Sequence, residues 1–166
     1  LLDVVGFTET YKNQSFEKHT KVLYKKIVKA TPEIAEWLCI EEGAEVIELK
    51  RLMSISGTPE LIDTAWFPLE LYPDLFPKLL DDVSTFSLIK NEYKYKFSKV
   101  YKELSASVTI FDESKLLQCP VGTPVFFFKK VISDENNRPI HFSKFLVKSD
   151  NIVYTLSFDY SKNAPQ

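Results

Sequence analysis

The sequence predicts an α+β fold, a mainly antiparallel sheet flanked by short helices. Three observations predict it. Runs rich in β-branched and aromatic residues come in pairs joined by tight turns, as AEVIELKRLMSIS and PELIDTAWF are joined around SerGlyThrPro. The helix-start signals between such runs open segments of only about two turns. One unit, a short helix, a Gly turn and a hairpin, is written twice.

Taken in order, residues 1–18 are polar and irregular, and GFTE at Gly6 to Glu9 reads as a loop leading into the domain. HTKVLYKKIVKA, from His19, has strand composition. It ends at TPEIAEWL, where Thr31 suits an N-cap, Pro32 the first helical position, and Ile34, Ala35 and Leu38 one apolar face. After the turn at Gly43 comes the first hairpin. Pro68, Pro73 and Pro77 then limit the chain to single helical turns. STFSLIKNEY reads as a helix capped by Ser84 or Thr85, with Phe86, Leu88, Ile89 and Tyr93 apolar. A long strand, FSKVYKELSASVTI, leads to a short helix at DESKLLQC. The second hairpin, PVFFFKKVIS and PIHFSKFLV, follows, and IVYTLSFDY closes the domain.

Superposing Gly43 on Gly122, an offset of 79 positions (122 − 43), pairs Leu38 with Leu117, Val46 with Val125, Arg51 with Lys130 and Ser54 with Ser133. One residue inserted in the second turn then brings Pro59 onto Pro139. Two repeats are too few for a solenoid. They predict a pseudo-symmetric sheet whose corresponding strands face one another across the core as the two walls of a cleft.

With 166 residues, 45% of them hydrophobic, the chain can bury a single core. A net charge of −2, from 21 basic and 23 acidic residues spread along the chain, gives no footprint for gripping a phosphate backbone directly. No apolar run approaches the roughly 18 residues of a membrane span, and no signal-peptide pattern opens the chain. Cys39 and Cys119 have no His or Cys at ligand spacing and are expected as reduced core residues of a cytoplasmic protein. The only Met is Met53, so the chain reads as a fragment or a processed product.

Catalytic patterns are thin. There is no GxSxG, HExxH or phosphate-binding Gly loop, so no catalytic residue, metal or cofactor is assigned. His19 reads as an exposed strand start. His141, on an otherwise apolar strand, is open between a structural and a binding role. Of the adjacent Lys50 and Arg51 only one can face the interior. If that is Arg51, it needs an anionic ligand or a carboxylate, and Asp63 on the partner strand is the protein's own candidate.

The ordered series GFTE, VLYKKIVKATPEIAEWLCIEEGAEVIELKRLMSISGTPELIDTAWFPLELYPDLF, FSLIKNEY and SASVTIFDESKLLQCPVGTPVFFFKKVISDENNRPIHFSKFLVKSDNIVYTL resembles the UTRA domain. That domain is the effector-sensing half of the HutC branch of GntR-type bacterial transcription regulators, and the likeness runs from Gly6 to about Phe158. It implies a chorismate-lyase-like fold with 1–18 as linker and ligand loop and 19–160 as the effector-binding domain. It also implies a small-molecule effector, a homodimer, and DNA contact only through an N-terminal winged helix absent from this chain. Members that sense sugar phosphates hold the phosphate with a GlyPheXaaGlu loop, an ArgXaaArg pair and the Ser and Tyr of SerLeuTyr. Two carboxylates and a later Tyr take the rest. Carried over, Phe7 and Thr8 keep the loop, Arg51 the first Arg, Ser87 the Ser and Asp63 the first carboxylate. Met53 replaces the second Arg, Ile89 the Tyr, His141 the second carboxylate and Val147 the later Tyr. Those losses point from a sugar phosphate toward a single phosphate or carboxylate on a more apolar body. A chorismate-lyase-like enzyme and a dimerisation module with a vestigial pocket are the alternatives.

Overall fold

The computed structural model describes residues 7–11, 17–150 and 152–156. Eight strands and three α-helices alternate in it: β1 (Phe7–Tyr11), β2 (Lys18–Lys29), α1 (Pro32–Leu38), β3 (Glu45–Ile55), β4 (Thr58–Pro68), α2 (Thr85–Asn91), β5 (Phe97–Val108), α3 (Phe111–Leu117), β6 (Pro124–Asp134), β7 (Pro139–Lys148) and β8 (Ile152–Leu156). A 3-10 turn at Phe76–Lys78 is all the helix that the proline-rich stretch allows. Six strands form one antiparallel sheet in the order β2-β3-β4-β7-β6-β5, and β1 pairs with β8 as a separate ribbon. The expected loop at GFTE is therefore a strand from Phe7 onward, because its backbone groups find partners at the far end of the chain.

The helices start where their caps dictate. The Thr31 side chain accepts the Ile34 N–H at 3.4 Å, and Ser84 Oγ accepts the Ser87 N–H at 3.3 Å. α1 and α3 end on residues in the left-handed region, Cys39 at φ 51° and Gln118 at φ 52°. That position turns Cys39 outward, so it is exposed rather than in the core, and Cys119 is only partly covered.

The repeat extends further than the sequence alignment. β2, α1 and β3 map onto β5, α3 and β6 residue for residue. The connections repeat too: Gly43 N–H donates to Ala30 O at 2.9 Å, and Gly122 N–H to Thr109 O at 2.8 Å. Both hairpins bulge at the equivalent step, Met53/Ser54 and Ile132/Ser133. The two halves do not face one another across the core. They lie side by side, joined edge to edge where β4 pairs with β7, and the pseudo-twofold axis passes between the paired residues Thr64 and Lys144.

Each sheet face is covered differently. On one, α1 packs Ile34, Ala35 and Leu38 against Val46, Trp66, Val131 and Phe142. α3 buries Leu117 against Ile62 and Val125 on the same face. The helices cross over: α1, from the first half, packs on β7, and α3, from the second, on β4. The other face buries Ile47, Leu49, Ala65, Phe67 and Ile132 under Tyr72, Leu75, Leu79 and Ile89 of the segment between the halves. Each Ile, Leu or Phe among them contributes about 1.5–3 kcal/mol on burial, and the Tyr72 hydroxyl donates to the Ile140 carbonyl at 3.0 Å.

Candidate functional site

Strand alternation puts Arg51, Met53, Leu61 and Asp63 of the first hairpin on that second face, with Ser143 and Phe145 of β7 and Lys130 of β6. The connecting segment covers this face incompletely. Between β2, the sheet and the start of α2 it leaves a cleft of about 320 Å³. Its sheet wall is Arg51, Met53, Leu61, Asp63, Lys130 and Phe145; Lys18 and Thr20 come from β2, and Asp82, Val83, Ser84, Thr85 and Phe86 from the opposite side. That side is pinned to β2: the Asp82 carboxylate accepts the Thr20 N–H at 2.6 Å and Asp81 that of Val22 at 2.6 Å.

The polar centre is the ion pair of Arg51 and Asp63, neighbours across the hairpin register. Arg51 donates from Nη2 at 2.5 Å and from Nε at 3.2 Å, both to Oδ2 of Asp63, and the two side chains are 14% and 15% exposed. Because both bonds converge on one oxygen, Arg51 Nη1 and Asp63 Oδ1 have no partner among the described residues. A guanidinium and a carboxylate thus each keep one face toward the cleft, and such a pair suits a carboxylate or phosphate beside an ammonium or hydroxyl.

The second cation is Lys130, the pseudo-symmetric equivalent of Arg51, whose Nζ lies 4.6 Å from the Phe86 ring centre and 5.3 Å from that of Phe145. Met53, Leu61, Phe86 and Phe145 supply apolar walls. Among the described residues there is no cluster of His, Cys, Asp and Glu that could hold a metal ion.

Arg51, Met53 and Asp63 are brought together as expected. Four other expected residues do not line the cleft. Ser87 points from α2 toward a shallow surface hollow beside Lys90 and Tyr95, because the helix starts two residues earlier and turns Ser84, Thr85 and Phe86 inward instead. Ile89 is fully buried in the core, where α2 meets the sheet, and Val147 packs with Met53 and Phe128. His141 is on the right face but only 2% exposed, sealed between the rings of Phe67 (5.0 Å) and Phe86 (5.5 Å). Burial, and then the charges of Lys130 and Arg51, hold its imidazole well below the ordinary value, so it is neutral at pH 7. The Phe7 and Thr8 backbones stand opposite Leu156 and Thr155 in the ribbon; their side chains lie outside the described residues. Lys130 was the residue to add, and its pairing with Arg51 in the repeat was the signal.

A family model described as the UTRA domain matches residues 13–152. An Escherichia coli K12 protein with the name "Probable fructoselysine utilization operon transcriptional repressor" is 30% identical over 156 residues, 94% of this chain and 64% of its own length. The chain therefore spans about 64% of the length of such relatives. The solved C-terminal domain of Yurk from Bacillus subtilis superposes with a TM-score of 0.74 at 31% identity, over 79% of this chain and 90% of that one. A GntR-family transcriptional regulator from Bacillus cereus gives a TM-score of 0.73 at 22% identity, over 86% and 96%, a likeness of fold.

Proposed function

The chain belongs to the UTRA domain family of GntR-type transcription regulators, and from that premise we propose that its cleft binds a small anionic metabolite controlling DNA binding by a domain outside this chain. The observation that carries this reading is the Arg51–Asp63 pair, half-buried in a cleft with apolar walls, its Arg51 Nη1 and Asp63 Oδ1 unpaired among the described residues. The ligand's anion sits on Arg51, an ammonium or hydroxyl on Asp63, and an apolar stem against Met53, Leu61 and Phe145. Fructoselysine, which figures in a relative's name, has these features: an α-amino acid end, a methylene chain and a hydroxylated end. The repressor acts as a homodimer, and the effector shifts its DNA-reading domains by binding one arrangement more tightly than the other.

A lyase reading is less well supported. Its candidate acid–base groups are Glu9, whose side chain lies outside the described residues, Asp63, already engaged by Arg51, and His141, shielded by two aromatic rings. The test is calorimetric titration of the domain with fructoselysine, glucose 6-phosphate and inorganic phosphate, followed by an operator-release assay on the whole regulator. Binding that Arg51→Ala weakens about 10- to 150-fold supports the reading, the range expected for one charged hydrogen bond. Anion affinity unchanged in Arg51→Ala removes Arg51 from the site, and pyruvate release from chorismate would favour the enzyme.

A further inference from the structure

The cleft occupies only one side of the pseudo-twofold axis. Its image on the other side is made of Lys130 for Arg51, Ser143 for Asp63 and His141 for Leu61, with the same cross-strand pairing: Arg51 opposite Asp63, Lys130 opposite Ser143. This second half is closed. Phe86, the third residue of the α2 segment counted from its Ser84 cap, lays its ring against His141, under Lys130 and edge-on to Phe97 at 6.0 Å.

What it covers is not an apolar floor. Ser143 is fully buried and His141 is 2% exposed, and neither Ser143 Oγ nor His141 Nδ1 has a hydrogen-bond partner among the described residues. Leaving two buried polar atoms unpaired is costly, and a pair of apolar residues would fill the same space without that cost. The two stand two positions apart on one face of β7, and Phe145, two positions further along that face, already lines the open cleft. Phe86 itself is shared, since it is also a wall of the open half.

We propose that Phe86 is a plug, and that its displacement with the start of α2 joins the two halves into one site in which Ser143, His141 and Lys130 receive the second polar end of the ligand. The inference rests on the effector-binding reading of the cleft. The ligand class it implies is a molecule with two polar ends, one anionic at Arg51 and one hydroxylated or anionic at Ser143, joined by an apolar stem along Met53 and Phe145. Moving the plug also moves α2, which gives the ligand a differential contact between two states of the domain.

Two histidines make the test clean, because His19 is exposed and His141 is not. The imidazole proton resonances of the wild-type domain are followed while fructoselysine, and separately inorganic phosphate, is added. The expected result is that fructoselysine moves the His141 signals, phosphate leaves them in place, and Ser143→Ala weakens fructoselysine about two- to tenfold while sparing phosphate. Phe86→Ala, with the plug removed, is expected to expose His141 to modification by diethyl pyrocarbonate in the folded domain. Binding of fructoselysine with no change at His141 and no effect of Ser143→Ala, or binding of phosphate but not of fructoselysine, overturns the plug and leaves the cleft reading standing. A domain that binds neither compound, with Phe86 present or removed, overturns both.

Discussion

Replacing Arg51 by Met keeps the length and volume of the side chain's stem and removes its charge. Asp63, 15% exposed, then loses both of the hydrogen bonds it accepts from Arg51. Hydrogen bonds to a charged group contribute about 1.5–3 kcal/mol, well above the roughly 0–1 kcal/mol of an ion pair in open solvent. Arg51→Met is therefore expected to lower stability by about 1.5–3 kcal/mol, or about 3–12 °C in Tm for a domain of this size. Asp63→Asn leaves Arg51 without its counter-charge and costs a similar amount. The double variant should be little worse than either single one, so the cycle returns a coupling energy of about 1.5–3 kcal/mol. Urea unfolding of the four proteins at fixed pH and salt measures it. A coupling below about 0.5 kcal/mol would mean that the cleft is wet enough to screen the pair, and the argument that it is poised for a ligand would fail with it.

Other outcomes follow from the same contacts. Tyr72→Phe deletes a donor to the buried Ile140 carbonyl and should cost about 1–3 kcal/mol in the same unfolding assay. Gly43→Ala and Gly122→Ala place a side chain at φ 82° and φ 85° with nothing within 4 Å, so each should cost about 1–2 kcal/mol from backbone strain, and the two values should agree closely. Burial pushes the Asp134 carboxyl up, but the N–H groups of Arg138 and Asn136 and the Arg138 guanidinium outweigh it and hold its pKa below the ordinary carboxylate value. Its share of the stability is present above about pH 4 and is lost as pH falls through that lowered value. In Asp134→Asn, urea midpoints should vary less with pH in that acidic range.

Much of the fold was legible because its punctuation is local. Thr31 and Ser84 cap the helices they were expected to cap, and the prolines from 68 to 77 stop any longer helix. The SerGlyThrPro turn sets the register that brings Arg51 and Asp63 opposite one another, so the polar centre of the cleft could be read from one hairpin. β1 could not, since a five-residue strand that pairs with β8 has no neighbour in sequence to announce it. Resemblance placed Ser87, Ile89 and Val147 by position along a motif, whereas their directions depend on where α2 begins and on which side chains the core takes. His141 falls on the expected face, yet whether a face is open depends on Phe86, which arrives from a different element.

The crossing of α1 onto β7 and of α3 onto β4 means that neither half of the chain can bury its own helix alone. A half cut out between Pro68 and Phe97 would expose its inner strand, β4 or β7, and the apolar face its helix has left. Two such fragments produced together should find each other and restore one domain, the way separately made parts of a split reporter do. Either fragment alone should aggregate, because the surface that makes the halves partners is the same surface that makes each one sticky.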